Sequence, residues 1–339
     1  MPGQLRRREL IDGTFVVTHT IDDSHDGWRA DNYLRAVYKH FSRNKLQNLI
    51  DEGRIQMPSK RLKASTTLRP GDEIKVLTEQ TEEPPVDLNF GTLYEDDHVL
   101  VIDKPGNLPV HPAGKFLFNT LLMRLRQTRG RNYHLIHRLD RETSGVLLLA
   151  KDPETAGQLV KQFRERRTEK RYWAVCEGHP LEDAFTVDAD IGSAINSEIR
   201  LKMQAFPKGT SEMDALTHFK TLARAPRGVS LIDCKLETGR QHQIRVHLAY
   251  KGHPVVGDKL YGAGDQAFLD HIHRAQWVKK KLIEKGIWAE TPDEDEVSAE
   301  TGGSRQALHS RYLKFWYERR DCWLEVESPL PKDMEALLT

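Results

Sequence analysis

The chain has 339 residues, more than one average domain, so we expect a main domain and at least one smaller module. Its composition, 38% hydrophobic and 30% charged residues, is that of a globular protein, and no apolar run approaches the ~20 residues that cross a bilayer, which excludes a membrane protein. A formal net charge of +1 excludes a uniformly basic nucleic-acid binder, so any polyanion must be bound by a local patch.

The first residues, MPGQLRRREL, contain no apolar stretch after their arginines, so the sequence predicts no secretory signal and a cytoplasmic location. Three cysteines, Cys176, Cys234 and Cys322, lie far apart without a CxxC pair, which argues against a disulfide framework and a zinc site. The chain also lacks a Gly-rich dinucleotide fingerprint and a GxxxxGK[ST] phosphate loop. We therefore expect no metal and no cofactor.

A basic segment at 29–69 carries ten Lys and Arg residues against three acidic ones, an asymmetry that suggests a polyanion partner. Its apolar residues recur at helical spacing and predict two short helices. Ser42 is a plausible N-cap for the second helix, Gly53 its C-terminal stop, and a Pro-Gly turn in TLRPGDEIKVL then leads into a strand.

This arrangement, over 28–77, resembles the α-L RNA-binding domain of the ribosomal-protein-S-four type, although IQMPSKRLK lacks the Val-x-Val-Asn-Gly turn usual there. The resemblance implies RNA binding by Arg43, Lys45 and Arg54. The alternative is a generic helical cap with a solvated basic face.

The boundaries follow from composition. We predict an N-terminal extension (1–27), the small domain (28–78), a linker (79–90) that takes most of its residues from the acidic, proline-bearing TEQTEEPPVDL, and a catalytic domain (91–339). In the last domain short β runs and helical runs do not alternate cleanly, which favours an α+β fold with a central mixed or antiparallel sheet flanked by helices and loops. The polar, acidic stretch at 263–303 is interpreted as a surface insertion.

The segment HRLDRETSG (137–145) places charged and hydroxyl residues directly before an apolar strand, so Asp140 is expected at the strand's edge. Taken alone, such an Asp is usually a turn or cap residue that binds nearby backbone N–H groups. Two further segments change that interpretation: KRYWAVCEG (170–178) and GRQHQIRVH (239–247) follow it in order.

These three motifs together resemble the RluA-type pseudouridine synthases. VIDKPGNLPVHP (101–112) is similar to that family's strand and loop before the catalytic motif, and RQALHSRYLKF with PLPKDMEALL to its C-terminal portion. The resemblance implies isomerisation of a uridine in structured RNA, without an external group donor, by a monomer that needs no protein partner.

The family's site residues carry over by position. Asp140 would be the nucleophile and Arg245 the cation that keeps it ionised, since a carboxylate buried alone drifts upward in pKa. Tyr172 would stack on the uracil. Arg138 corresponds to the arginine that can fill the space left by a flipped uridine. The plainer alternatives are a surface arginine for Arg245, sheet packing for Tyr172 and electrostatic support for Arg138.

Further RNA contacts are predicted near the pocket. Arg167 and Arg171 lie in a basic run, for which a solvated helix face is the alternative. Arg240 and His242 are also expected there, with His242 in a structural or RNA-facing hydrogen bond. Three functions remain open. The first is modification of large-subunit ribosomal RNA, which is most compatible with the presence of the small domain. The others are the same chemistry on transfer RNA and a non-catalytic role as an RNA-binding ribosome assembly factor.

Overall fold

The computed structural model describes residues 6–11, 14–38, 42–79, 83, 86–112, 116, 118–211, 213–270 and 305–339. The chain divides into two compact units, Met1–Pro84 and Pro85–Thr339. Each unit has its own hydrophobic core. Among the described residues, no helix combines the length and the apolar character needed to cross a membrane.

The small unit is a four-stranded antiparallel sheet with two helices. In the order β1-β2-β4-β3 its strands are Arg6–Ile11 (β1), Thr14–Thr20 (β2), Glu73–Glu79 (β4) and Ile55–Gln56 (β3). The helices are Ala30–Val37 (α1) and Arg43–Asp51 (α2). Tyr33, Leu34 and Leu46 are almost fully buried and join the helices to the sheet's core.

The two predicted helices are confirmed, and so is the cap of the second. The Ser42 hydroxyl accepts a hydrogen bond from the Lys45 N–H at 3.2 Å, and Gly53 ends the region with a left-handed φ of +71°. The stretch 1–27, interpreted as an extension, contributes β1 and β2 to the sheet. The strand after α2 has only two residues, where the usual turn motif is missing from the sequence.

The large unit contains a ten-stranded mixed sheet, which confirms the α+β prediction. Its main path runs β10-β13-β14-β9-β15-β8-β6-β5, with β16 pairing to β15 and β7 to β8. The strands are Gly91–Glu95 (β5), Val99–Lys104 (β6), His134–Leu135 (β7), Ser144–Ala150 (β8), Glu169–Glu177 (β9), Ala184–Asp188 (β10), Leu216–Ala225 (β13), Val229–Leu236 (β14), Leu308–Tyr317 (β15) and Cys322–Glu327 (β16). Only the β15–β8 pairing is parallel among these.

A separate hairpin and several helices complete the described part of the large unit. The hairpin consists of Asp190–Ser193 (β11) and Met203–Phe206 (β12). The helices are Leu121–Arg129 (α3), Pro153–Arg164 (α4), Gln243–Tyr250 (α5) and Lys332–Glu335 (α6).

Strand β8 lies at the centre of the large unit's core. All seven of its residues are buried, and alternate side chains enter different clusters: Leu147 and Leu149 one, Val146 and Leu148 the other. Because successive side chains of a strand point to opposite faces, β8 is covered on both sides of the sheet. The loop that enters β8 is therefore attached to the most rigid part of the unit.

Most of the predicted surface insertion, 271–303, lies outside the described residues, while 264–270 are helical. Cys176 and Cys234 are buried free thiols and Cys322 is partly exposed. The described part of the chain contains no group of three or more His, Cys, Asp or Glu side chains that could hold a metal ion.

Substitution of Gly145 tests how closely the backbones of β8 and β15 approach each other. Gly145 has a φ of +103°, and a Cβ there would lie 2.2 Å from the Ser310 carbonyl oxygen. We expect Gly145→Ala to lower the free energy of unfolding by about 3 kcal/mol or more, through overpacking and left-handed strain. Urea unfolding followed by tryptophan fluorescence measures the change.

Gly157→Ala in α4 is the matched control, because no heavy atom lies within 4 Å of its added Cβ. It should raise stability by roughly 0.5–1 kcal/mol, the helix preference of Ala over Gly. A Gly145→Ala protein as stable as the Gly157→Ala protein would contradict the close approach of the two strands.

Candidate active site

Asp140 lies in the loop that enters β8, with 25% of its side chain exposed. The Thr143 N–H donates to the Asp140 carbonyl at 3.1 Å and closes a tight turn. Lys104, at the end of β6, is fully buried, and its Nζ donates to the carbonyls of Leu108 and Arg141 at 3.1 and 3.0 Å. The position of the carboxylate is thus fixed by bonds to the loop's backbone.

The start of β15 holds the other end of this loop. The Arg305 Nη1 donates to the Glu142 carbonyl at 3.1 Å, and the Gln306 N–H donates to the Glu142 carboxylate at 3.0 Å. Gln306 also donates through Nε2 to the Thr143 hydroxyl at 2.7 Å. Burial would raise the pKa of Glu142, but Lys259 and Arg141 lower it to about 2, so this buried carboxylate stays charged.

Arg245 on α5 joins two carboxylates. Its Nη1 donates to Asp140 Oδ2 at 2.9 Å. Its other side forms a two-bond fork with Asp258, from Nε to Oδ2 at 2.6 Å and from Nη2 to Oδ1 at 2.9 Å. Burial opposes the guanidinium charge, but Asp258 raises its pKa beyond the ordinary value. Arg245 is therefore a permanent cation at the base of the site.

The Asp140 carboxyl is held ionised by this cation. Burial by itself would raise the pKa of Asp140, yet the pKa lies below the ordinary value because of the surrounding positive charge. Burial lowers the pKa of the neighbouring His242 to about 4, so this ring is neutral at neutral pH. A charged His242 would lower the Asp140 pKa most, but because this ring is neutral at neutral pH, Arg245 and Arg138 supply the positive charge.

Tyr172 lies on β9 with 8% of its surface exposed, and it pairs across the sheet with Ser310 of β15. Burial raises its pKa to about 12, and the Asp140 charge contributes in the same direction. The side chain is thus a neutral phenol near the carboxylate. It supplies an aromatic face and a hydroxyl, and no base at neutral pH.

Two residues of the site were not assigned from the sequence, Asp258 and Tyr261. Asp258 is fully buried and accepts the Leu260 and Tyr261 N–H groups as well as Arg245. The Tyr261 ring lies 5.0 Å from the Arg245 guanidinium carbon, and its hydroxyl contacts His242 Nδ1 at 2.8 Å. Their only sequence signal is the acid and aromatic residue in GDKLYG, which follows the motif of Arg245.

The structure brings together some of the predicted residues and separates others. Asp140, Tyr172, Arg245 and His242 meet in one site, and exposed Arg138 is close enough to act on Asp140. The remaining predicted RNA contacts of the large unit are ion-paired elsewhere: Arg171 with Asp233, Arg167 with Glu165 and Arg240 with Asp214.

The predicted RNA-binding residues of the small unit differ in exposure and in whether they already form an ion pair. Arg43 donates to Asp31, which Arg29 also binds, and these bonds, with the Arg29 bond foremost, lower the Asp31 pKa to about 2. Lys45 is exposed at the start of α2, and Arg54 is half-buried. Lys45 is therefore more available to an external anion than Arg43.

Comparison with known proteins gives a consistent result. Residues 98–250 match the family described as RNA pseudouridylate synthase, a stretch that includes Asp140, Tyr172 and Arg245. Ribosomal large subunit pseudouridine synthase D of Xanthomonas campestris is 35% identical over 328 residues, covering 94% of this chain and 90% of that protein. Ribosomal large subunit pseudouridine synthase C of Vibrio parahaemolyticus is 30% identical over 332 residues, covering 94% of each.

A solved structure shares the architecture. The human protein titled RNA Pseudouridylate Synthase Domain Containing 1 is similar with a TM-score of 0.53 and 26% sequence identity. The match covers 75% of this chain and 90% of that chain.

The buried ion pair between Asp258 and Arg245 should dominate local stability. Asp258→Asn leaves the guanidinium with one carboxylate partner instead of two, so we expect a decrease of about 3–5 kcal/mol in the free energy of unfolding. Chemical denaturation of the full chain measures it.

Asp183→Asn is the matched control, since Asp183 pairs with Arg224 at 2.8 Å but is 83% exposed. An exposed pair contributes about 0–1 kcal/mol. Equal decreases in the two variants would mean that burial of the Arg245 site adds nothing.

Proposed function

The chain belongs to the RNA pseudouridylate synthase family and is an RNA pseudouridine synthase; we propose that Asp140 is its nucleophile and large-subunit ribosomal RNA its substrate. The observation that carries the role of Asp140 is its 2.9 Å bond to Arg245 inside the family-matched region. A carboxylate kept ionised in an enclosed site has the charge that the reaction requires.

The reaction breaks the bond between uracil N1 and the sugar, rotates the detached base, and joins uracil C5 to the same sugar carbon. The C5 proton then leaves and N1 gains one, so no atoms are lost and no redox step occurs. Asp140 can attack the ribose or the uracil ring, or assist departure of the base. Each route needs the carboxylate form, which Arg245 maintains.

Tyr172 suits the rotation step. A detached uracil must be held without being fixed, and an aromatic ring provides a face on which the base can turn. Its raised pKa of about 12 keeps the hydroxyl protonated, so the ring adds no second negative charge beside Asp140. We propose that Tyr172 stacks on the base and that its hydroxyl is available to the sugar.

The target base must leave its stack to reach Asp140, at a cost of a few kcal/mol. Arg138 is exposed beside the nucleophile, so we assign it to the space that the flipped uridine leaves. Phosphate binding elsewhere must offset the rest of the cost.

The small unit is proposed to bind phosphates as an RNA-binding domain of the α-L type. A groove beside α2 is lined by several basic residues of 60–63 together with Arg29. Arg61 and Lys63 are exposed, and neither forms an ion pair within the described part of the chain. They are therefore available to phosphates.

Ribosomal RNA is preferred over transfer RNA because the two curated relatives described above are both named for the ribosomal large subunit. Both extend over nearly the whole chain, including the small unit. We propose that the protein works in the cytoplasm. A monomer suffices for this chemistry.

The role of Asp140 is tested by Asp140→Asn, which keeps the shape and removes the charge. We expect pseudouridine formation to fall below detection while the RNA Kd stays within a few fold of wild type. Mapping of pseudouridine in total RNA from cells with the wild-type protein, the variant or none identifies the target in the same experiment.

Pseudouridine sites that disappear from large-subunit ribosomal RNA, both with the variant and without the protein, support the proposal. Sites that disappear from transfer RNA instead would identify transfer RNA as the substrate. An unchanged map with a ribosome-assembly defect would favour the assembly factor. Full activity of Asp140→Asn would remove the nucleophile assignment.

The small unit is tested by Lys45→Gln combined with Arg61→Gln and Lys63→Gln. If these side chains bind phosphates, RNA affinity should fall, and the slope of log Kd against log salt should decrease by about one for each phosphate that is no longer neutralised. Filter binding across a salt series measures both.

Lys220→Gln with Arg227→Gln serves as the control, because both side chains are exposed on the large unit's β13 region. It removes charge from a surface with no assigned role. A salt slope identical in the triple variant and in wild type would contradict RNA binding by these side chains of the small unit.

A further inference from the structure

His242 is turned inward at the start of α5. It has a left-handed φ of +58°, forms no side-chain capping bond, and leaves 11% of its side chain exposed. Its two ring nitrogens face different partners: Nδ1 lies 2.8 Å from the Tyr261 hydroxyl, and Nε2 lies 3.8 Å from Asp140 Oδ2. The backbone strain places the ring between these two groups.

We assign the proton of the neutral His242 ring from its contact with the Tyr261 hydroxyl. Its oxygen accepts the Met203 N–H of β12 at 3.0 Å, so the hydroxyl proton is free to be donated. The acceptor within reach is His242 Nδ1. A neutral ring that accepts at Nδ1 carries its proton at Nε2, and this N–H faces Asp140.

The two oxygens of Asp140 are not equivalent. Oδ2 accepts the Arg245 bond and also faces His242 Nε2. Oδ1 accepts no hydrogen bond from any residue that the structure describes. One oxygen is therefore anchored, and the other is available to the substrate.

We propose that His242 is a positioning residue, whose Nε2–H, fixed by Tyr261, holds Asp140 Oδ2 so that Oδ1 is presented to the uridine. This rests on the proposed role of Asp140 as nucleophile. The 3.8 Å separation exceeds a hydrogen bond, so the proposal requires the two atoms to approach when RNA binds, as catalytic groups often do when the substrate enters.

A neutral donor is the appropriate group at this place. The charged and titratable groups around the ring are Asp140, Arg245, Asp258, Arg138 and Tyr261. A second permanent cation there would meet repulsion from Arg245 and would weaken the nucleophile by binding it too strongly. An uncharged N–H directs the carboxylate without either effect.

Two substitutions of His242 distinguish the roles of its two ring nitrogens. The Gln amide reaches about as far as Nε2 and can supply the donor toward Asp140, whereas the shorter Asn amide reaches only the Nδ1 position. Asn tolerates a left-handed φ better than other residues, so His242→Asn should fold at least as well as His242→Gln.

We expect single-turnover pseudouridine formation by His242→Gln to stay within about tenfold of wild type, and that by His242→Asn to fall about 100-fold, the usual effect of removing one preorganised donor. RNA Kd and the unfolding midpoint should be unchanged in both. Tyr261→Phe, which keeps the ring on Arg245 and removes only the hydroxyl, should also slow the reaction.

His218→Asn is the matched control, because the His218 Nδ1 contacts the Thr186 hydroxyl at 2.9 Å away from this site, and it should leave the rate unchanged. Equal rates for His242→Gln and His242→Asn would overturn the proposal, and so would a weakened Kd that accounts for the slower reaction. An active Asp140→Asn would instead refute the nucleophile, whatever the order of the His242 variants.

Discussion

The candidate active site depends on one guanidinium shared by two carboxylates. Asp258 takes two of the Arg245 donors in a planar fork, and one donor remains for Asp140. Because Asp258 already compensates most of the cation's charge, Asp140 is kept ionised without being neutralised. The same fork fixes the direction of the remaining N–H, so Asp258 sets the position of the Asp140 carboxylate through Arg245.

Three separate parts of the large unit deliver this arrangement. β8 anchors the loop of Asp140, β9 carries Tyr172, and α5 carries Arg245. The loop is fixed through its carbonyl groups, by Lys104 on one side and Arg305 on the other, and through the side chains of Glu142 and Thr143, which accept bonds from Gln306. Asp140 is therefore presented on a loop that its neighbours hold in place.

Much of this was predictable because it depends on local order. The apolar run after Asp140, the helical spacing around Arg245 and the cap at Ser42 are short-range signals, and the resemblance to the RluA-type synthases is confirmed at the level of the family. The partners Asp258 and Asp233 were not predicted, because the arginines that they bind are brought to them by chain reversal or strand register, which the sequence around each acid does not indicate. The strands β1 and β2 were missed because a charged N-terminal stretch indicates an extension as readily as an edge strand.

The place of β15 has a consequence for how the protein is made. This strand, 308–317, lies between β9 and β8, and its parallel pairing with β8 joins Ser144 and His309, which are 165 positions apart. During synthesis the edges of β8 and β9 that β15 joins therefore stay unpaired until residues 308–317 have left the ribosome. The loop of Asp140 acquires its Arg305 bonds only when this late segment is made, so the candidate site is among the last parts of the sheet to be completed.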